Sequence, residues 1–277
     1  EHSGPPRDST PKVLTPSADG VNVYQTDFAS IDASNTSQGY VMVKYNGTNE
    51  KVKLQITCPD QSCYTYLISD RGAYDTFPLT AGNGSYALQV LENVAGDTYT
   101  VSLAQSINVS IEDEFLPFLY PNQYVNFHTD SKAVSKGSDL AKDTYSDLDV
   151  VQNIYNYVIK NISYDTEKAQ NVSYGYVPDV DDTLSSKKGI CFDYAALMTS
   201  MLRSQNIPTK LEVGYSGDAY HAWISTYIDD KGWVDDISQF NGNTWQIMDP
   251  TLAATNDSAA VKKYVGDGSH YVVKYTY

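Results

Sequence analysis

The sequence is poor in cysteine, in histidine and in positive charge. It holds three cysteines and four histidines in 277 residues. Lys plus Arg total 19 against 34 Asp plus Glu, a formal net charge of −15. A chain this acidic repels phosphate backbones and anionic headgroups, which argues against nucleic acid as a partner. It also lacks any apolar run near the roughly eighteen residues that a spanning helix needs, so no membrane insertion is expected. Nothing at its start reads as a signal segment. The opening EHSGPPRDSTP is polar and proline-bearing, and residues 1–15 are expected to form a flexible tail able to act as a cell-surface tether. What the chain has in plenty is tyrosine, 24 residues, alongside many Asn, Thr and Ser. That composition suits an extracellular or cell-surface protein.

The first part reads as all-β. GYVMVKY, KVKLQITC, CYTYLIS, GSYALQVLENV, TYTVSL and SINVSI are short β-branched and aromatic runs separated by Gly, Asn, Asp and Pro. Asn46-Gly47 and Gly96-Asp97 are turn signals. Residues 16–118 are therefore expected to form an immunoglobulin-like β-sandwich. In KVKLQITC, Val52, Leu54, Ile56 and Cys58 alternate inward against Lys51, Lys53, Gln55 and Thr57. Cys58 and Cys63 bracket a Pro-Asp turn. Two readings stand, a disulfide across a hairpin mouth or two reduced core cysteines, and the first is expected in an oxidising compartment. The pair lacks the second half of a zinc site.

After Ile111 the texture changes. A connector with two prolines leads to a weak helical pattern at DSKAVSKGSDLAKDTY and a stronger one at DLDVVQNIYNYVIKNI. Residues 161–189 read as a long loop, a length that favours a functional role. A helix is expected from Phe192 to Ser204, apolar on most sides and hence buried. Strands follow at KLEVGY, HAWISTYI, GWVDDI, TWQIMD and HYVVKYTY. Helices followed by antiparallel strands give an α+β domain over residues 119–277.

Cys191 stands at the amino end of that buried helix. Unpaired N–H groups and the helix dipole favour negative charge there, which is what a thiolate nucleophile requires. The plain alternative is a small buried hydrophobe. Gly189 just before it permits close backbone approach. Among the histidines, His2 and His128 fall in tail and connector and His270 near the end, whereas His221 opens a strand next to the helix. It can reach the thiol as general base and acid, or be only a polar strand-end residue. Trp223 faces the same side and can shield the pair from bulk water. Asp249 closes the strand TWQIMD before a proline, where a carboxylate can hold the imidazole. Read alone, Asp-Pro is a turn. Asp235 and Asp236 are its rivals.

These three blocks, GICFDYAALMTSMLRSQNIPTKLEVGY, HAWISTYIDDKGWVDDI and WQIMDPT, closely resemble in order the transglutaminase-like superfamily, over roughly residues 147 to 252 and including NISYD. The resemblance implies a papain-like fold, with a buried helix on an antiparallel sheet. It implies Cys191 as nucleophile, His221 as base and acid, and Asp249 as the orienting carboxylate. It further implies a secreted bacterial thiol enzyme that makes a thioester from an amide of a protein or peptide and resolves it with an amine or with water. A cysteine peptidase acting on cell-wall or extracellular peptides is one alternative. A non-catalytic surface binding module with a relic triad is another. An upstream side chain often completes the oxyanion site in this family, and Tyr164 and Gln152 are the nearby candidates. Animal members need calcium, but Asp179, Asp181 and Asp182 lack the ligand spacing of a calcium loop and read as a solvated loop. No cofactor or metal is expected. Trp223, Trp233 and Trp245 read as sheet core in preference to a channel lining.

Overall fold

A computed structural model describes residues 2–216, 219–229, 231–234, 239–240, 245–246 and 271–277. Its residues fall into two compact units, Thr15–Pro117 and, separately, Phe118 onward together with the residues up to Leu14. The whole is α+β.

The first unit has eight strands: β1 (Val23–Gln25), β2 (Ala29–Asp32), β3 (Tyr40–Tyr45), β4 (Val52–Thr57), β5 (Cys63–Leu67), β6 (Asp75–Pro78), β7 (Gly84–Ala95) and β8 (Thr98–Val109). They form two four-stranded sheets, ordered β1-β2-β3-β6 and β5-β4-β7-β8. The sheets face one another. Tyr66 of β5 meets Phe77 of β6 edge-on at 4.8 Å, and the Tyr45 hydroxyl of β3 donates to Glu92 of β7. Alternation in KVKLQITC is as expected, with Val52, Leu54, Ile56 and Cys58 buried. TYTVSL and SINVSI are not two strands. They run as one, β8, paired along β7 from the Gly96-Asp97 turn with register shifts that absorb the irregularity. Strand β6 escapes the sequence pattern because it is short and ends in Pro78, which is tolerated at a sheet edge.

Cys58 and Cys63 are free thiols, which corrects the expected disulfide. The ladder explains it. Thr57, not Cys58, lies opposite Cys63, so Cys63 shares the outward face with Thr57 while Cys58 points into the core. Burial pushes the Cys58 thiol up to about 11.

The second unit begins with α1 (Lys132–Ala141) and α2 (Asp147–Asn161). Ser146 starts α2 by a capping box: its hydroxyl accepts from the Asp149 N–H at 3.1 Å, and the Asp149 carboxylate accepts from the Ser146 N–H at 3.2 Å. Next come β9 (Ser163–Tyr164), α3 (Thr166–Asn171), α4 (Val180–Ser186), β10 (Lys188–Gly189) and α5 (Cys191–Ser204). The stretch read as a long loop thus holds two short helices. Aspartates cap them: the Asp165 carboxylate accepts from the Lys168 N–H, and that of Asp179 from the Asp182 N–H, each at 3.0 Å. Asp181 accepts from the N–H groups of Lys132 and Ala133 at the start of α1. Two of the three acids, Asp179 and Asp181, are therefore helix caps and not members of a bare solvated loop.

The remaining strands are β11 (Thr209–Ser216), β12 (Ala219–Ile228), β13 (Gly232–Val234), β14 (Gln239–Phe240), β15 (Trp245–Gln246) and β16 (Tyr271–Thr276). An antiparallel sheet of order β13-β12-β11-β16 carries α5 on β11 and β12, with α1, α2 and α4 on the helix's other sides. All residues of α5 from Asp193 to Ser204 are buried. At its far end Arg203, 1% exposed, donates to the carbonyls of Thr209, Tyr120 and Tyr277. Burial lowers its guanidinium to about 9, which leaves it charged at neutral pH. No described helix is long and apolar enough to cross a membrane.

The opening segment departs from the flexible-tail expectation. Arg7 binds the Asp147 carboxylate at 2.7 Å and the Gln205 side chain at 3.0 Å. The Ser9 carbonyl accepts from Ser138 and Gln205, and the Lys12 N–H donates to Ser204. These contacts tie the segment to the ends of α2 and α5.

Alkylation of the native protein checks the cysteine assignment. At pH 8 iodoacetamide should modify exposed Cys63, and Cys58 only after unfolding, because a thiol raised to about 11 is on the order of 0.1% thiolate there. A linked Cys58–Cys63 peptide in a non-reducing digest would contradict it.

Candidate active site

Cys191 is the first residue of α5 and is partly exposed, in contrast to the buried helix behind it. Two devices set its backbone. Strand β10 pairs in parallel with β9, Gly189 opposite Tyr164, and the Asp165 N–H donates to the Gly189 carbonyl at 2.9 Å. A side chain at Gly189 has no room, since its Cβ would lie 2.7 Å from the Asp193 Cβ. The close approach read from the glycine is real.

Asp193 is the second device. Its carboxylate is fully buried, 0% exposed. One oxygen accepts from the Ile190 N–H at 2.9 Å and pairs with Lys168 Nζ at 3.0 Å; the other accepts from the Tyr176 hydroxyl at 2.5 Å. Lys168 Nζ also sits 4.7 Å from the centre of the Tyr176 ring. An unpaired buried carboxylate would cost several kcal/mol, and these partners together offset that cost. The sequence reading did not single out Asp193, Lys168 or Tyr176. A signal was present for the first: an acid in the first turn of an apolar helix complements its dipole and can cap it.

His221 lies in β12 opposite Gly214 of β11. β16 passes tightly against Gly214, for a Cβ there would fall 2.0 Å from the Val272 carbonyl oxygen. Trp223 is on the same face as His221, ring centres 6.4 Å apart, and is itself 0% exposed. Its indole donates to Glu212 at 3.2 Å. Neither Trp223 nor Trp233 lines the cavity described next, and the side chain of Trp245 lies outside the described residues. His128 serves a local turn, its Nδ1 accepting from the Asp130 N–H at 3.2 Å.

Cys191 and His221 open into one cavity of about 400 Å³. Phe192 and Ile190 flank the thiol, Tyr220 and Ala222 flank the histidine, and the segment from Ala169 to Tyr176 forms a wall. Tyr164 also lines it, whereas Gln152 does not. Burial raises the Tyr164 phenol, and the nearby Cys191 raises it further. Tyr176 is raised well above the usual phenol range by burial, then by the hydrogen bond and charge of Asp193. The helix start, an imidazole and a phenol around one thiol are the parts that acyl transfer uses. Asp249, Asp235 and Asp236 lie outside the described residues.

Residues 135–235 match the family model of the transglutaminase-like superfamily. A UPF0252 protein of Methanocaldococcus jannaschii is 32% identical over 115 residues, 35% of this chain and 33% of that protein. The kyphoscoliosis peptidase of Mus musculus is 29% identical over 118 residues, 38% of this chain and 18% of that one. The matched part is thus a third of the first relative's length and under a fifth of the second's. Among solved structures, the periplasmic domain of TgpA from Pseudomonas aeruginosa shares 14% identity, TM-score 0.40, over 88% of this chain and 98% of that one. Red sea bream transglutaminase shares 13%, TM-score 0.30, over 79% and 48%.

The raised Tyr176 phenol gives a pH dependence. The folded state keeps it neutral while the unfolded chain ionises it near pH 10, so its contribution is complete below about pH 10 and declines above that. Urea midpoints at pH 8 and 10.5 should fall less in Tyr176→Phe than in wild type. Equal falls would refute the Asp193–Tyr176 linkage.

Proposed function

Because residues 135–235 carry a transglutaminase-like domain, we propose that this protein is a thiol hydrolase acting on amide bonds of proteins or peptides through a thioester on Cys191. The observation that carries the reading is the shared cavity of Cys191, at the start of a buried helix, and His221 on the adjacent sheet. In the proposed reaction His221 takes the thiol proton and the sulfur attacks the carbonyl carbon. N–H groups at the start of α5, which have no intrahelical acceptor, stabilise the oxyanion, with the Tyr164 hydroxyl as the side-chain donor. The C–N bond breaks as His221 gives its proton to the leaving nitrogen. Water then enters, His221 takes its proton as the oxygen bonds the acyl carbon, and the C–S bond breaks as His221 returns that proton to the sulfur, releasing the acid and restoring the thiol.

Hydrolysis is preferred to transfer on two grounds. Both Cys191 and His221 are partly exposed, which admits water, and one relative is named a peptidase. Asp249 is assigned by motif as the carboxylate that holds the imidazole. The first unit is proposed as a docking or spacing module. Placement outside the cell rests on composition, the acidic, tyrosine-rich chain being suited to it.

Turnover of fluorescein-labelled casein and of glutamine peptides, with and without a primary amine, tests the proposal. Cys191→Ala should lose turnover and keep its fold and melting temperature. Asp249→Asn should lose about 10²-fold, less than a serine triad loses, because a thiol is intrinsically the better nucleophile. Undiminished turnover in Cys191→Ala would sink the enzyme reading. A silent Asp249→Asn beside an inactive Asp235→Asn or Asp236→Asn would move the third role. Amine incorporation exceeding hydrolysis would make the protein an acyltransferase.

A further inference from the structure

The cavity at Cys191 has a chemical character that its triad does not explain. Among the described residues, no Asp, Glu, Lys or Arg side chain lines it. Its surroundings are aromatic: Tyr124, Phe192 and Tyr277 form an edge-to-face cluster, with Tyr124 centred 5.3 Å from Phe192 and 4.8 Å from Tyr277. Opposite stand Val172 and Tyr176 from the stretch after α2. In a chain with 34 acidic residues, a thiol surrounded by uncharged aromatic and aliphatic groups is a specific environment. A carboxylate or ammonium placed there would meet no Lys, Arg, Asp or Glu side chain among the described lining residues, while an aromatic or aliphatic group would be buried favourably.

The Val172–Tyr176 wall is tied to the nucleophile's helix at Asp193. Helix α3 has six residues and α4 seven, too short to be stable alone, and α3 has no buried residue. Lys168 of α3 and Tyr176 beyond it both end on Asp193, the carboxylate that also holds the Ile190 N–H next to the nucleophile. Wall and thiol are therefore referenced to the same buried group. Lys168 itself does not line the cavity.

We propose that the 169–176 wall forms a selectivity subsite for an uncharged aromatic or aliphatic side chain next to the reacting carbonyl, and that Lys168 is a positioning residue that fixes this wall to the nucleophile's helix through Asp193. The inference rests on Cys191 being the reacting group, but it concerns which substrates reach it. Peptides or proteins cleaved at apolar or aromatic positions are its substrate class. Those with Asp or Glu at that position react more slowly.

Covalent probes read this without turnover. Three are compared: benzyloxycarbonyl-phenylalanyl chloromethyl ketone, its aspartyl counterpart, and iodoacetamide, which is too small to need the wall. In each case the Cys191 sulfur displaces a halide. Peptide mapping gives the rate at Cys191 separately from Cys63. The phenylalanyl probe should react at least about tenfold faster than the aspartyl one. Lys168→Met should slow the phenylalanyl probe about tenfold, displacement of a binding wall by roughly 1 Å being enough for such losses. Its iodoacetamide rate should fall much less than the phenylalanyl rate, because the Ile190 N–H and the Tyr176 hydroxyl still hold Asp193, and Lys168→Arg should restore the phenylalanyl rate. If Met at 168 prevents folding, Lys168→Gln, which keeps a donor without the charge, is read the same way. An aspartyl probe as fast as the phenylalanyl one would overturn the subsite. Variants that slow both probes alike, or neither, would overturn the role of Lys168. A protein with no amide turnover but the full probe preference would refute the proposed hydrolysis and leave the subsite standing. Turnover without the preference would do the reverse.

Discussion

Helix α5 is buried from Asp193 to its last residue, and the rest of the second unit is arranged around that constraint. Apolar packing covers Ala195, Ala196, Leu197, Met198, Met201 and Leu202, each worth a fraction of a kcal/mol to about 3 kcal/mol when taken from water. The polar members are harder to accommodate, since burial without a partner costs about 1–3 kcal/mol and more for a charge. Ser200 and Ser204 donate back to the Ala196 and Met201 carbonyls. Arg203 collects three backbone carbonyls at one end and Asp193 collects a backbone N–H, a phenol and an ammonium at the other. Each charge recruits segments distant in sequence, Tyr120 and Tyr277 to Arg203, and Lys168 and Tyr176 to Asp193.

The site is a consequence of where that burial stops. Cys191 and Phe192 are the only residues of α5 outside the buried class, so the helix meets solvent at the end where its N–H groups are unpaired. The sheet completes the arrangement. Pairing of β11 with β12 puts His221 opposite Gly214, and the missing side chain at Gly214 lets β16 approach from the other edge. The first unit carries none of these residues.

Much of this was legible in the chain. The period of residues 191–204, the alternation of KVKLQITC and the order Cys, His, Asp with family-like flanks gave the α+β class, the buried helix and two members of one cavity. Three features were not. The Cys58–Cys63 spacing fits a bridge, but only the ladder reveals that Thr57 is the residue opposite Cys63. The stretch 161–189 lacks a clear apolar period because α3 has no buried residue and α4 buries only Val180 and Thr183, the rest being set by aspartate caps and by Lys168 on Asp193. The opening segment reads as a tether because hydrogen bonds, not apolar burial, hold it. A ladder register, local caps and polar pairs between distant residues such as Lys168–Asp193 and Arg7–Asp147 decide these features, and apolar periodicity carries no information about any of them.

The central claim is that chemistry passes through a covalent acyl group on the thiol of Cys191. Acid-quenching the protein during turnover of a benzyloxycarbonyl-phenylalanyl peptide amide, followed by intact-mass and fragment mapping, reads it directly. The account predicts a population in which the acyl group replaces the Cys191 thiol hydrogen, and its loss on treatment with hydroxylamine. Continuing hydrolysis with Cys191 unmodified at every quench time, or an acyl group mapped to another residue, would contradict it.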